Sequence, residues 1–280
     1  MAKDRVGFIG LGKMGKFMAQ GLVGRGIDTV VRNLHRQEPV RELERLGAKA
    51  AGSAKEIGAL CNIIIIMVRD TSQAEEVILG EEGVMNRVRE GSIIIIMSTV
   101  DPLFCHRVAK IASEKGVGVS DAPVSGFPKA AETHTLTIMV GGEKDLLERC
   151  RYIFEAMGNR VFHVGGIGTA QVIKIAQTNI VFATAIATAG GIALAAKAGV
   201  ELKRFLEIIQ TTAADSWIAH NWEQWSKKGK ENKSSLDDSY RKLWMALDLA
   251  KAWGISLPLS EVIAQLDIGQ LIDFTEKLGK

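Results

Sequence analysis

Two runs of four isoleucines, Ile63–Ile66 and Ile93–Ile96, constrain this chain more than any other feature. Neither alternates polar with apolar residues, so neither suits a strand with one face in water. Uninterrupted β-branched runs of this length fit parallel strands covered by helices on both faces. Further strand candidates are Arg5–Ile9, Thr29–Arg32, Gly118–Asp121, Thr135–Val140 and Arg160–Val164, with the isoleucine runs extending to Ile63–Val68 and Ile93–Met97. Helix patterns at Met14–Arg25, Val40–Leu46, Thr71–Ile78 and Pro102–Lys115 lie between them and give a βαβ rhythm. Strand-like runs stop after His163. Helical patterns then cover Thr169–Ala198, Leu202–Gln210, Ser216–Lys227, Asp237–Trp253 and Ser260–Leu278. The sequence therefore predicts an α/β domain with a doubly wound sheet over residues 1–165. An all-α domain over 166–280 follows, entered through one long helix. The charged stretch Lys227–Ser235 reads as a solvated loop.

Composition narrows the functional classes. The 280 residues carry 35 Lys and Arg against 32 Asp and Glu, a net charge of +3. That is too small an excess to argue for nucleic acid or an anionic membrane. Cys61, Cys105 and Cys150 are odd in number and widely spaced, which excludes a disulfide framework and fits a reducing cytoplasm. The five histidines, His35, His106, His134, His163 and His220, show no metal-ligand spacing. Residues 175–196 carry no charge and are long enough to span a bilayer. Their alanines, threonines and Gly190-Gly191 favour the buried centre of a domain or an interface instead. Lys13 interrupts the first apolar segment before a signal peptide of useful length could form.

Gly10-Leu11-Gly12-Lys13-Met14-Gly15 matches GxGxxG, follows a predicted strand and opens a predicted helix. In that context the motif points to dinucleotide binding. The first glycine permits the tight turn, the second lets a pyrophosphate approach the backbone, and the third lets helix and strand pack. The helix start then offers N–H groups and a positive dipole end to the phosphates. A dinucleotide site that prefers a free ribose 2′-hydroxyl places an acid about 20 residues on. Arg32-Asn33-Leu34-His35-Arg36 contains none there. Arg offers a 2′-phosphate a planar fork of donors, so the expected cofactor is NADP, with NAD as the alternative.

Two segments carry candidate chemistry. Asp121-Ala122-Pro123-Val124-Ser125-Gly126 follows a strand, and Ser125 with the Gly126 N–H could grip a carboxylate. Lys174 sits in the first turns of the long apolar helix, where apolar surroundings would lower a lysine pKa toward an acid–base range. Thr178 follows one helical turn later, with Asn179 beside it.

Taken together, these segments resemble the β-hydroxyacid dehydrogenases, which include 3-hydroxyisobutyrate dehydrogenases and small semialdehyde reductases. The resemblance runs through Val6–Gly15, Met97-Ser98-Thr99, Asp121–Gly126, Thr135–Gly142, Gly166–Lys174 and Ala246–Ala250 with Gly254 and Pro258. It implies a Rossmann domain, a long interdomain helix and a helical C-terminal domain that takes part in oligomerisation, as a homodimer or homotetramer. It implies that Lys174 is the proton donor and acceptor and that Ser125 and Gly126 anchor substrate, with Thr178 or Asn179 adding a contact. Cofactor positions are then Gly10, Leu11, Gly12, Met14, Gly15, Arg32, Asn33, Arg36, Met67, Val68, Thr99 and Lys242. The expected activity is hydride transfer between NADP(H) and a small β-hydroxy acid or its semialdehyde, without metal. An imine reductase of the same architecture and an inactive cofactor-binding or interaction module are the alternatives. The sequence departs from the family pattern at Phe127 and His134, where glycines are common, and at Ile96, where an Asp is common. It departs again at Thr178 in place of Asn and at Arg241-Lys242 in place of Lys-Asp.

Overall fold

A computed structural model describes residues 4–231, 233–267 and 270. Contacts divide the chain into two compact units, Met1–Lys174 and Ile175–Lys280.

The first unit is built on a nine-stranded sheet. Its strands are β1 (Arg5–Ile9), β2 (Asp28–Arg32), β3 (Lys49–Ala50), β4 (Ile63–Ile66), β5 (Ile93–Ile96), β6 (Gly118–Asp121), β7 (Val124–Ser125), β8 (Leu136–Gly141) and β9 (Gly158–Gly165). The spatial order is β3-β2-β1-β4-β5-β6-β8-β7, with β9 pairing β8. β1 to β6 pair in parallel, whereas β8 runs antiparallel to both β6 and β7. The sheet is therefore mixed at one side, and the isoleucine runs lie in its parallel part, as their unbroken apolar character predicts. The covering helices are α1 (Gly15–Gly24), α2 (Glu38–Arg45), α3 (Ala54–Leu60), α4 (Thr71–Leu79), α5 (Pro102–Ser113), α6 (Phe127–Glu132) and α7 (Lys144–Glu155).

The isoleucine runs explain the two-sided cover. Ile63, Ile65, Ile93 and Ile95 point into one apolar cluster with Phe8, Met18 and Phe154. Ile64, Ile66, Ile94 and Ile96 point into the opposite cluster with Ile57, Val77 and Phe104. All eight are at most 1% exposed, and burying each such side chain contributes roughly 1.5–3 kcal/mol. One face alone could not bury consecutive isoleucines, because adjacent side chains on a strand point to opposite sides.

The helix α8 (Thr169–Lys197) starts in the first unit and continues into the second. There follow α9 (Leu202–Ile209), α10 (Trp217–His220), α11 (Trp222–Glu231), α12 (Lys233–Trp253) and α13 (Pro258–Ala264). In the second unit α8 buries Phe182, Ala185, Ala189 and Ile192, while Ile180 and Leu194 are 66% and 76% exposed. Only 22% of its most apolar stretch is buried within one chain, so of the two expectations, the buried centre of a domain or an interface, the first is not met. The loop expected at Lys227–Ser235 is also corrected. Residues 227–231 and 233–235 are helical, because Lys and Glu are good helix formers whatever their charge. The single helix expected over Ser216–Lys227 is two, α10 and α11, meeting at Asn221. Of the helix expected over Ser260–Leu278, the part at 268–269 and 271–278 lies outside the described residues.

Candidate active site

The expected cofactor and anion-binding positions of the first unit gather where its parallel strands end. β1 leads toward β2 on one side and its other neighbour is β4, so the strand order reverses between β1 and β4. Ligands of doubly wound sheets bind outside the strand C-termini at such a reversal.

Gly10 ends β1 with φ +103°, and a Cβ there would lie 2.2 Å from the Met67 carbonyl oxygen. A Cβ on Gly15 would lie 2.0 Å from the Gly10 carbonyl oxygen. Both positions are closed to any side chain by backbone. Gly12 differs: nothing lies within 4 Å of its Cβ position, so the turn opens onto free space beside the start of α1. Space at this glycine and contact at the other two is the arrangement a pyrophosphate requires. Met14 precedes α1 without capping it by a side chain, which leaves first-turn N–H groups for an anion.

The loop after β2 is stapled to this turn by Asn33. Its Oδ1 accepts from the Leu11 N–H at 3.0 Å, and its Nδ2 donates to the Arg36 carbonyl at 2.7 Å. Asn33 therefore holds the loop in shape. Arg32 donates to the Gly52 carbonyl, which engages part of its guanidinium. Arg36 lines a groove of about 520 Å³ together with Leu11, Gly12, Lys13, Lys16 and Glu38. Lys13 and Lys16, which the sequence reading gave no role, thus join Arg36 around the groove. Lys16 pairs with Glu42.

Beyond β4 and β5 the chain ends are bonded to one another. Val68 N–H donates to Ser98 Oγ at 2.8 Å, and Thr99 lies partly buried next in sequence. Ser98 passes the connection on, its carbonyl accepting from Gln171 Nε2 at 2.9 Å. Gln171 Oε1 accepts from the Val100 N–H at 3.1 Å. Asp121, at the end of β6, receives the start of α8: Oδ1 accepts from Gly168 N–H at 2.7 Å and Oδ2 from Gln171 N–H at 2.9 Å. Asp121, Gln171 and Ser98 are each 0% exposed. Burial pushes the Asp121 carboxyl up from its ordinary range, and the Gly168 and Gln171 N–H groups oppose that rise. Sequence reasoning gave these three residues no role. No spacing rule pairs a strand end with a helix start 47 positions away.

Ser125 lies partly buried in β7, paired with Thr137 of β8, and exposed Gly126 precedes α6 with φ +135°. Phe127 follows with φ 60°, and His134 lies beyond the other end of α6 with φ 54°. They are the positive-φ non-glycine residues among those described, and both are positions where the resemblance set out above implies glycine. Lys174 is partly buried on α8, one turn after Gln171. Further along α8, in the second unit, Thr178 is partly buried and Asn179 Oδ1 accepts from Ser260 Oγ at 2.9 Å. Lys242 is partly buried on α12, also in the second unit. Among the described residues no group of three or more His, Cys, Asp or Glu side chains could hold a metal.

A glycine turn open at its second glycine, at the reversal of a doubly wound sheet, defines a dinucleotide-binding protein. Residues 5–165 match the family model described as the NAD binding domain of 6-phosphogluconate dehydrogenase. Residues 168–268 match one described as the NAD-binding region of NADP-dependent 3-hydroxyisobutyrate dehydrogenase. The chain is 35% identical over 264 residues to the 2-hydroxy-3-oxopropionate reductase of Escherichia coli, covering 94% of this chain and 89% of that protein. It is 32% identical over 260 residues to the NAD-dependent L-serine dehydrogenase of Pseudomonas aeruginosa, covering 93% and 86%. The crystal structure of a 3-hydroxyisobutyrate dehydrogenase from Salmonella typhimurium has a TM-score of 0.84 at 26% identity, covering 96% of this chain and 99% of that one. This chain belongs to the β-hydroxyacid dehydrogenases, NAD(P)-dependent oxidoreductases with a Rossmann domain and a helical C-terminal domain.

Proposed function

We propose that the protein interconverts a small β-hydroxy acid and its semialdehyde, using NADP(H), with Lys174 as the general acid and base. One observation carries this reading. The turn of α8 that leads to Lys174 is bonded to the ends of β5 and β6, the same sheet edge at which the glycine turn opens. The glycine turn and the first turn of α1 would hold the pyrophosphate. Leu11, Met14, Met67, Val68 and Thr99 lie on the segments that would flank the rest of the cofactor. The bound nicotinamide supplies the hydride in reduction and takes it in oxidation.

The chain's own residues do the remaining work. Ser125 Oγ–H and the Gly126 N–H donate to the substrate carboxylate and orient its carbonyl carbon. The Lys174 ammonium donates a proton to the carbonyl oxygen in reduction, giving the hydroxyl, and the neutral amine takes that proton back in oxidation. Holding a small acid in one orientation lowers the barrier alongside the proton transfer. Thr178 would add a hydroxyl donor one turn beyond Lys174, while the Asn179 carboxamide oxygen is engaged by Ser260. Arg36, together with the absence of any acid from Arg32 to Arg36, supports NADP over NAD. Three free buried thiols support a reducing cytoplasm. The exposed apolar residues of the helical unit support a homodimer or homotetramer.

A spectrophotometric screen tests this. NADPH and NADH oxidation would be followed with 2-hydroxy-3-oxopropionate, glyoxylate, succinic semialdehyde and methylmalonate semialdehyde, for wild type and Lys174→Ala. We expect turnover with at least one aldehyde, tighter binding of NADPH than of NADH, and a kcat reduced about 10²–10⁴-fold in Lys174→Ala. Undiminished turnover in that variant removes Lys174 from the mechanism. Tight NADPH binding with no turnover of any aldehyde points to a cofactor-binding module instead.

A further inference from the structure

We propose that Asp121 and Gln171 are positioning residues that set the rotation of α8 about its own axis, and so aim Lys174. The proposal rests on the acid–base role given to Lys174 above. The need for such a device follows from the helix itself. A helix with one apolar stripe is held in rotation by burying that stripe. On α8 that stripe, Phe182, Ala185, Ala189 and Ile192, is buried in the second unit and begins about two turns beyond Lys174. Over residues 169–176, around Lys174, the buried apolar side chains are Ala170 and Ile175 alone, and Ile173 is 40% exposed. Turning the helix by one residue position would redirect Lys174 by about 100°.

Polar bonds at its start add to that small apolar hold. Asp121 spends both carboxylate oxygens on α8, taking the Gly168 and Gln171 N–H groups at 2.7 and 2.9 Å. Two helix-start donors that would otherwise lack partners are thereby satisfied. Gln171 projects the other way, into the ends of β5, with its oxygen on Val100 N–H and its nitrogen on the Ser98 carbonyl. These four bonds hold one helical turn to two different strand ends, and every side chain in them is fully buried. A single bond would leave the helix free to pivot about it; anchors on two strands do not. Lys174 lies three residues after Gln171, on the adjoining turn of the same face. Neither Asp121 nor Gln171 needs to touch substrate for this role, and buried polar partners of this kind rigidify what they hold.

The test compares wild type, Lys174→Ala, Asp121→Asn, Asp121→Ala and Gln171→Met. Amide hydrogen exchange is read on peptides covering residues 166–176 and, as a control, on β1 and β4. NADPH affinity is read by fluorescence titration, and kcat and KM with the best aldehyde of the screen. Asp121→Ala should speed exchange over 166–176 while β1 and β4 keep their protection. It should also lower kcat by about 10- to 100-fold, as an ångström-scale misplacement of a catalytic group does. KM and NADPH affinity should stay within about twofold. Asp121→Asn, which keeps one acceptor oxygen, should restore part of kcat, and Gln171→Met should reproduce the loss if either Asp121 variant fails to fold. Unchanged exchange over 166–176 in Asp121→Ala overturns the proposal, with or without turnover. So does a wild-type kcat in Asp121→Ala, or equal loss of kcat, NADPH affinity and global protection, which marks a structural prop. Failure of all three network variants to fold overturns it on the same ground. Lys174→Ala separates the two ideas: full activity there rejects the acid–base role, whatever the network variants do.

Discussion

At the scale of residues, the glycine turn shows how one motif divides into different duties. Gly10→Ala would press a Cβ against the Met67 carbonyl and force an L residue to φ +103°, which should cost roughly 2–4 kcal/mol. Gly12→Ala meets nothing in the protein, so its urea midpoint should match wild type while NADPH affinity falls at least about tenfold. Urea unfolding with NADPH titration reads both, and equal stability loss in the two variants would contradict the assignment. The motif was legible in the sequence because glycine's lack of a side chain is a local property. The partners of Arg32 and Asn33 were not, since they depend on where Gly52 and Leu11 come to lie. The thiols give a pH prediction. Burial pushes Cys61 and Cys150 up from the ordinary thiol value of 9.0 to about 12, and Cys105 further still. A raised folded pKa means that the unfolded chain loses the proton first. The contribution is complete below pH 9.0 and is lost as pH rises toward about 12. Stability at pH 10 should therefore fall by about 1 kcal/mol per thiol relative to pH 7.5. Urea melts check this, and Cys61→Ser with Cys150→Ser should flatten the dependence.

At the scale of elements, local signals and tertiary support diverge. The seven strands expected from the sequence all form, Arg5–Ile9 and Gly118–Asp121 with the expected bounds and the other five with an end shifted by one or two residues. Two short strands went unseen. β3 and β7 have two residues each, too few for any period to register, and they exist because a neighbouring strand offers hydrogen bonds. Helices α3, α6 and α7 also lie outside the named helix patterns, although at α3 Ser53 and Glu56 carry a start signal. Ser53 Oγ accepts from the Glu56 N–H at 3.0 Å, and Glu56 Oε2 accepts from the Gly52 N–H at 2.7 Å. Ser53→Ala should cost about 1 kcal/mol, measured by urea unfolding, and Ser53→Asp should recover most of it. A neutral Ser53→Ala would show the cap to be dispensable. The reverse error, a loop expected at Lys227–Ser235, came from reading its charges and turn residues as breakers; a single glycine such as Gly229 costs a helix only about 1 kcal/mol, and the lysines around it are good helix formers.

At the scale of the whole molecule, α8 asks for partners that one chain does not give it. Ile180 and Leu194 remain mostly exposed although the helix is apolar enough to cross a membrane by length and composition. An assembly of this chain should cover them. Light scattering coupled to gel filtration is expected to find wild type as a dimer or tetramer, and Ile180→Glu with Leu194→Glu should lower that mass. A monomeric wild type would leave α8 without that explanation. The sequence by itself determined a sheet covered on both faces, a dinucleotide turn at its first strand and a helical second half. Each of these follows from side-chain periodicity or from a residue's own backbone freedom, which are local. Tertiary structure alone decided that β8 runs antiparallel to β6, that Asn33 holds a loop in shape, and that Asp121 meets the start of α8. Those are pairings between distant segments, and a hydrogen bond forms where the folded chain brings donor and acceptor together, which no interval along the sequence encodes.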